Sequence, residues 1–380
     1  MGKIRLAMFV SSLCNGGIER VVINILENIN TEIFEVYIFL LSDQDMYYQE
    51  RVLQSGAAII TDYPQLMRSS RGNKRWELFN STEAFLRKFA IDVVHIHCNN
   101  ESPEIILACK KNHISNICMH AHVAYSKYWN PNSFSLKSML AKPIFSYIQN
   151  MATYKLGCSQ AACEYMFGLG QNTEVIYNAL DFNKFNVLAY ESKSHLQEKY
   201  GLSSTNDNII FVGRLEEQKN PLFMLDVLKE LILLNERARL IIVGYGVLET
   251  GMRNKVEELQ LTKYVNFLPH NSNVPELLKA SDFFLSPSTH EGLGIVFVEA
   301  QAMEIPAFAS DAVPQEADLG LCEFIPLSLG AVGYASKMFE RMESHKQNAD
   351  ANKQIDKARL DNYRMEKMIK RLETIYSSNL

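Results

Sequence analysis

Short apolar runs alternate with helix-periodic stretches over nearly all of this 380-residue chain, and that alternation admits few folds. Residues 4–10 read as a strand; Ile18, Val21, Val22, Ile25, Leu26 and Ile29 follow at helical spacing. Further strands are predicted at 36–41, 57–60, 93–97, 116–120 and 154–158. A second series occupies 209–212, 240–243, 265–268, 283–286 and 307–309. Repeated strand–helix units imply an α/β protein of parallel sheets with helices on both faces. Residues 178–194 and the polar patch 203–208 separate the two series. The expected organisation is a Rossmann-like domain over 1–185, a second over 186–355, and a C-terminal helix over 356–380 packing back toward the first. Two such doubly wound domains would turn their strand ends toward a shared cleft, where ligands bind.

Composition narrows the class. Apolar residues make up 47% and charged residues 21%, as in an ordinary globular protein. No apolar run approaches the roughly 20 residues that span a bilayer. Met1-Gly2-Lys3-Ile4-Arg5 leads straight into a strand, without the apolar stretch of a signal peptide. Seven cysteines without a C-x-x-C pair read as reduced, mostly buried thiols. A cytoplasmic protein is expected, with peripheral attachment to the inner face of the plasma membrane as a variant. Residues 66–155 hold twelve basic side chains against five acidic ones. Among them Arg68, Arg71, Lys74, Arg75, Lys127, Lys137, Lys142 and Lys155 are interleaved with Tyr128, Trp129, Phe134, Phe145 and Tyr147. That mixture suits an anionic membrane surface, a solvated helical face being the alternative. A net charge of −5 and the absence of a binding motif speak against nucleic acid.

Near the C-terminus two carboxylates, Glu291 and Glu299, flank Gly292-Leu293-Gly294 and an apolar run. The run predicts a buried helix, on which an ionised Glu299 needs a hydrogen-bonding partner. Glu291 stands just before the helix N-terminus, a position that favours anions. A ligand bearing hydroxyls and phosphates would satisfy both. In Gly213-Arg214-Leu215-Glu216-Glu217-Gln218-Lys219-Asn220-Pro221 a strand ends and two cations flank a loop, with Pro221 suited to a first helical turn. Cations there oppose the helix dipole, so Arg214 and Lys219 favour a bound diphosphate over surface decoration. Gly16-Gly17, after Asn15, opens the first helix and would let a phosphate approach the backbone, although a bare turn explains it too. Gly244-Tyr245-Gly246 is a weak signal, and His270 could lie by a nucleobase edge or in an ordinary loop.

Two His-x-His pairs, His95/His97 and His120/His122, close predicted strands, and alternation puts each pair on one face. Cleft-facing histidines that touch substrate are favoured over structural ones. A metal site is disfavoured because the only carboxylates near, Asp92 and Glu101, are distant. Asp43-Gln44-Asp45 spells the Asp-x-Asp of metal-dependent sugar transferases but reads as a turn after a strand.

Together these stretches resemble the family 4 glycosyltransferases of GT-B fold. The likeness rests on Asn15-Gly16-Gly17-Ile18-Glu19-Arg20, Asp92-Val93-Val94-His95-Ile96-His97, Val212-Gly213-Arg214, Gln218-Lys219-Asn220 and the Glu291-x7-Glu299 motif. Residues 152–159, Phe167-Gly168, Ile176-Tyr177-Asn178-Ala179 and Glu299-Ala300-Gln301-Ala302 are similar to the bacterial exopolysaccharide and capsule branch. The resemblance implies a retaining hexosyltransferase, without metal or cofactor, that moves a sugar from a nucleotide-sugar, commonly a UDP-sugar. The acceptor it implies is a lipid-linked oligosaccharide in exopolysaccharide, capsule or O-antigen synthesis. It implies that Arg214 and Lys219 neutralise the leaving diphosphate and that Glu299 binds the ribose. Glu291, with the backbone of Gly292, Leu293 and Gly294, would contact the donor sugar and phosphates, and Gly16 and Gly17 the diphosphate. His120 or His122 would lie by the reacting sugar. Many relatives have proline where this chain has Gly294 and glycine where it has His270, which bears on the donor sugar. A nucleotide-sugar hydrolase or epimerase of the same fold, and a non-catalytic nucleotide-sugar-binding subunit, are the alternatives. Intact Arg214, Lys219, Glu291 and Glu299 argue against the last.

Overall fold

The structure is a computed structural model that describes residues 2–14, 16–43, 46–61, 74–98, 100–124, 136–347 and 355–378, with backbone alone at 136–142. The chain divides into two compact units, Met1–Ala179 with Met365–Leu380, and Leu180–Arg364.

In the first unit the strands are β1 (Ile4–Val10), β2 (Phe34–Leu40), β3 (Ala58–Ile60), β4 (Val93–Ile96), β5 (Asn116–Ala121), β6 (Tyr154–Gly157) and β7 (Glu174–Val175). Among the described residues they form one parallel sheet of order β3-β2-β1-β4-β5-β6-β7. Helices α1 (Gly17–Asn28), α2 (Gln49–Gln54), α3 (Lys74–Lys88), α4 (Ser102–Lys111), α5 (Leu136–Gln149) and α6 (Gln160–Phe167) connect them. Every residue of β4 and β5 is buried, which is why these strands read as continuous apolar runs rather than alternating ones. The order reverses between β1 and β4, so the ends of these two strands lie at the topological switch point.

The last helix of the chain, Met365–Tyr376, completes this unit. Met368, Ile369, Leu372, Ile375 and Tyr376 enter the same core as Leu6, Val22 and Leu26. Polar contacts fix its register: the Asn116 amide donates to the carbonyls of Ile375 (2.7 Å) and Ser378 (2.9 Å), and the Asn30 N–H donates to Glu373 (2.8 Å). Arg371 pairs with Glu174 of β7.

The second unit repeats the plan with β8 (Asp207–Val212), β9 (Ala238–Val243), β10 (Val265–Leu268), β11 (Phe283–Ser286), β12 (Ala307–Ser310) and β13 (Cys322–Ile325). Its sheet is parallel, of order β10-β9-β8-β11-β12-β13 among the described residues, with the reversal between β8 and β11. Helices α7 (Lys193–Lys199), α8 (Pro221–Leu234), α9 (Glu249–Glu258), α10 (Val274–Ala280), α11 (Ile295–Ala302), α12 (Gly330–Gln347) and α13 (Lys357–Asp361) surround it. Pro221 takes the first position of α8, as its fixed φ suits. Met224, Leu225, Leu228 and Leu231 of α8 share the core with Tyr334, Met338 and Met342 of α12. The segment 356–380 holds α13 and the last helix, Met365–Tyr376. Asp356 caps α13, and Arg359 within it pairs with Asp318 at 3.0 Å, keeping α13 with the second unit. No helix among the described residues is long and apolar enough to cross a membrane.

The closing role of the last helix has a direct test. Leu372 is 1% exposed, so Leu372→Ala is expected to cost about 2–5 kcal/mol. Chemical denaturation should show the loss, and an unchanged midpoint would contradict the packing described.

Candidate active site

At the switch point of the second sheet, β8 and β11 end side by side and deliver the predicted motifs to one place. The Lys219 Nζ sits 2.5 Å from Glu291 Oε1, with the two side chains only 14% and 6% exposed. Ser288 donates to the same carboxylate oxygen at 2.7 Å, and the Gln218 amide reaches the other at 3.5 Å and the His290 carbonyl at 3.1 Å. Buried charges persist only when paired and hydrogen-bonded, and here both conditions hold. Arg214, by contrast, is half-exposed and pairs with Glu216 at 2.9 Å. Ser288 is part of a buried hydroxyl set with Ser286 (3.0 Å) and Ser310, which donates to the Ser288 carbonyl. Ser288, Gln218 and His290 were not singled out from sequence. Gln218 lay within the motif, whereas the serine spacing alone carries no signal. Burial lowers the His290 pKa, with the Glu291 charge acting in the opposite direction.

Glu299 lies on α11, whose side chains from Val296 to Ala302 are buried, as the apolar run predicted. Gln301 on the same helix anchors it: its amide donates to the Phe297 (2.9 Å) and Ala317 (2.7 Å) carbonyls and accepts from the Leu319 (2.7 Å) and Leu321 (3.1 Å) N–H groups. Gly294 caps the helix at φ +78°, and a Cβ there would stand 2.8 Å from the Phe297 ring. Proline, locked near φ −65°, cannot take this conformation, so the Gly294 departure from the family pattern goes with a different local backbone. Leu293 is buried.

The Gly244-Tyr245-Gly246 turn has a structural cause. A Cβ on Gly244 would come within 1.9 Å of the Gly213 carbonyl oxygen, and one on Gly246 within 2.5 Å of that of Leu215. Leu215 N–H donates to Tyr245 (2.8 Å) and Leu248 N–H to Leu215 (3.0 Å), so the glycines let two loop backbones lie together. His270 is exposed and stands beside the half-exposed Tyr245, ring centroids 5.0 Å apart.

In the first unit Gly16 is the N-cap of α1. A Cβ on it would meet Glu19 Oε2 at 2.3 Å, so a larger residue there would displace the Glu19 carboxylate. Gly17 is different: a Cβ there meets nothing within 4 Å. Asn15 lies outside the described residues, as do Gln44 and Asp45 of the Asp-x-Asp, Arg68, Arg71, Lys127, Tyr128, Trp129, Phe134 and the side chains of Lys137 and Lys142.

The four histidines do share one face, but three of them do not look outward. His95 and His120 are wholly buried, His97 is 1% exposed, and only His122, at 8%, reaches the rim. Tyr376 of the last helix lies against His95, its Oη 2.7 Å from His95 Nδ1. His97 Nδ1 and His122 Nε2 are 2.9 Å apart, and the rings of His120 and His122 stack at 4.2 Å. Burial pushes the pKa values of His95, His97 and His120 well below the ordinary value, and neighbouring histidines add to the effect. The Ile176 carbonyl opposes it at His120. His122 is pushed down to about 3 by burial.

Comparison with known proteins identifies the family. The family model for Glycosyltransferase Family 4 matches residues 15–184, and that for Glycosyl transferases group 1 matches 192–319. EpsF of Bacillus subtilis (strain 168) is 26% identical over 332 residues, covering 86% of this chain and 84% of its own. A Campylobacter jejuni N-acetylgalactosamine-N,N'-diacetylbacillosaminyl-diphospho-undecaprenol 4-alpha-N-acetylgalactosaminyltransferase is 26% identical over 319 residues, covering 81% and 80%. The crystal structure of Anabaena HepE in complex with UDP and glucose superposes with a TM-score of 0.76 at 17% identity, over 99% of this chain and 100% of that one. The chain belongs to the family 4 glycosyltransferases, enzymes of hexosyl-transfer type, and has the GT-B fold.

Folded-state pKa values depressed below 6.5 make the buried histidines acid-sensitive. Below the unfolded value of about 6.5 the unfolded chain takes up protons that the folded chain refuses, at a cost of up to about 1.4 kcal/mol per pH unit for each histidine. Stability of the first unit is therefore full above pH 6.5 and falls as pH drops toward the folded values. Thermal melts from pH 7.5 to 5 should show the loss, and a flat profile would contradict the burial described.

Proposed function

We propose that this enzyme transfers a hexosyl group from a UDP-sugar to a lipid-linked oligosaccharide carried on undecaprenyl diphosphate, with retention and without a metal at the donor diphosphate. The observation that carries it is the buried Lys219–Glu291 pair at the β8/β11 switch point, with the half-exposed Arg214 on the same loop. Relatives support the substrate classes. The Campylobacter relative is named for a diphospho-undecaprenol acceptor, and HepE was crystallised with UDP and glucose. An Escherichia coli relative, 27% identical over 260 residues, is named for UDP-Gal and a diphosphoundecaprenol-linked GlcNAc.

In this proposal Arg214 and Lys219 neutralise the charge that develops on the leaving diphosphate, the role a divalent ion fills in Asp-x-Asp enzymes. Glu291 holds the Lys219 ammonium in a fixed direction before the donor arrives, so little reorganisation is needed during transfer. The sugar lies against Glu291 and the backbone of Gly292, Leu293 and Gly294. Glu299 accepts from the ribose hydroxyls, and His270 with Tyr245 borders the nucleobase. Gly16 and Gly17 approach the diphosphate, and the open space in front of Gly17 suits that contact. Of the two histidines proposed for the sugar, His122 is the better placed, because His120 is fully buried. The bond from the anomeric carbon to the diphosphate oxygen breaks as the acceptor oxygen bonds on the same face. The departing phosphate oxygen takes the acceptor's proton. Peripheral membrane attachment forms part of the proposal. Trp76, Ile144 and Tyr147 are 60%, 61% and 73% exposed, and the Arg75 guanidinium lies 4.4 Å over the Phe145 ring.

Arg214→Ala is expected to lower kcat/KM by about 10²–10³-fold, with Tm nearly unchanged because exposed ion pairs contribute roughly 0–1 kcal/mol. Near-normal turnover with UDP-sugar and lipid acceptor would overturn the diphosphate assignment. Trp76→Glu with Tyr147→Glu should reduce co-sedimentation with anionic vesicles while sparing transfer to a water-soluble acceptor. Unreduced co-sedimentation would remove this surface from the account.

A further inference from the structure

His95, His97 and His120 have no part in the transfer proposed above, yet they are the best-enclosed group of polar side chains in the first unit. β4 and β5 run parallel with His95 opposite Cys118 and Ile96 opposite Met119, which brings His97 level with His120. One nitrogen from each of the three rings lies within 4.8 Å of the others.

Hydrogen bonding decides which nitrogens are left. His95 Nδ1 is engaged by Tyr376 Oη and His97 Nδ1 by His122 Nε2. The Nε2 atoms of both are buried without a hydrogen-bond partner among the described residues, and His120 has only the Ile176 backbone for one of its ring nitrogens. A neutral imidazole carries one N–H and one lone pair. Where His95 Nδ1–H donates to Tyr376 and His97 Nδ1–H to His122, each of these rings keeps a lone pair on Nε2. Buried polar atoms are rarely left unsatisfied, and such groups call for an unseen ion or water. A cation where the three rings converge would satisfy one lone pair from each.

We propose that His95, His97 and His120 form a tris-imidazole site for a divalent late first-row metal ion, Zn²⁺ being the reference. Tyr376 and His122 act on the metal through its ligands: each fixes the ring orientation and tautomer that presents Nε2, as outer partners of metal-bound histidines do. Imidazoles without a carboxylate select zinc, cobalt, nickel or copper over magnesium, calcium or manganese. Three protein nitrogens leave a fourth position open. A tetrahedral ion with bonds of about 2.1 Å needs nitrogens roughly 3.4 Å apart, so the rings close by about an ångström on binding. Through Tyr376 the ion ties β4 and β5 to the last helix, which makes its role structural. The transfer chemistry at Arg214 and Lys219 proceeds without it, so the site goes beyond the proposed function and does not rest on it.

The test uses the full chain without an affinity tag, stripped with chelator and dialysed. Titration with Zn²⁺ in a calorimeter, and with Co²⁺ followed by its visible absorption, should show one ion per chain. The melting temperature should rise with Zn²⁺, since an ion that binds only the folded chain stabilises it. Tyr376→Phe, which removes only the hydroxyl on His95, should weaken binding about 10–100-fold, and His97→Gln should weaken it further. Because Tyr376→Phe keeps the ring in the core, it serves even where His97→Gln fails to fold. No uptake of Zn²⁺, Co²⁺ or Ni²⁺ by the stripped protein would overturn the proposal. Uptake at wild-type affinity in Tyr376→Phe and His97→Gln, or binding without a rise in melting temperature, would do the same. None of these readouts involves a donor sugar, so they stand whatever becomes of the transfer assay.

Discussion

All-parallel sheets impose the constraint on which the rest of the molecule depends. Right-handed crossovers return every strand in the same direction, so the C-terminal ends of all strands fall on one edge of each sheet. The order reverses between β1 and β4 in the first unit and between β8 and β11 in the second. At those reversals adjacent crossovers leave in opposite directions and open a crevice. Gly16, Gly17, His97 and His122 follow the reversal in one unit; Arg214, Lys219 and Glu291 follow it in the other. Within each unit, topology brings together side chains that lie far apart in sequence.

Within the second unit, the Lys219–Glu291 pair turns that placement into an electrostatic device. A lone lysine at the end of β8 would be flexible, and a lone glutamate beside α11 would be expensive to bury. Together, with Ser288 and Gln218 meeting the remaining lone pairs, they form a fixed dipole at the edge of the sheet. Buried pairs of this kind contribute little net stability against apolar replacements, and their use lies in what they orient. In the proposed reaction they orient an ammonium for the donor diphosphate. Removing Lys219 alone therefore strands a buried carboxylate at a cost of about 3–5 kcal/mol, which confounds activity with folding.

Much of this was legible in the sequence, and the exceptions have physical reasons. Apolar runs marked eleven of the strands because both faces of a parallel sheet are buried. β7 escaped because it has two residues, and β13 because Glu323 interrupts its short apolar run. The Glu291–Glu299 spacing and the Arg214/Lys219 loop pointed to an anion site. That Lys219 and Glu291 touch could not be read, since 72 positions separate them. The His-x-His spacing correctly put each pair on one face. It could not reveal the helix from the far end of the chain that brings Tyr376 against His95. Gly244 and Gly246 look like a ligand loop in sequence and are instead demanded by a neighbouring backbone.

The central claim is that the Lys219–Glu291 pair binds the donor diphosphate without a metal. Lys219→Met with Glu291→Gln removes both charges at nearly constant volume, a change that is often close to neutral for stability. Calorimetric titration with UDP in excess chelator is the direct measurement. Wild-type protein should bind, and the folded double variant should bind at least about 100-fold more weakly, the loss of roughly 2.7 kcal/mol. Equal affinity in the two proteins, or wild-type binding that appears only with Mg²⁺ or Mn²⁺, would contradict the account.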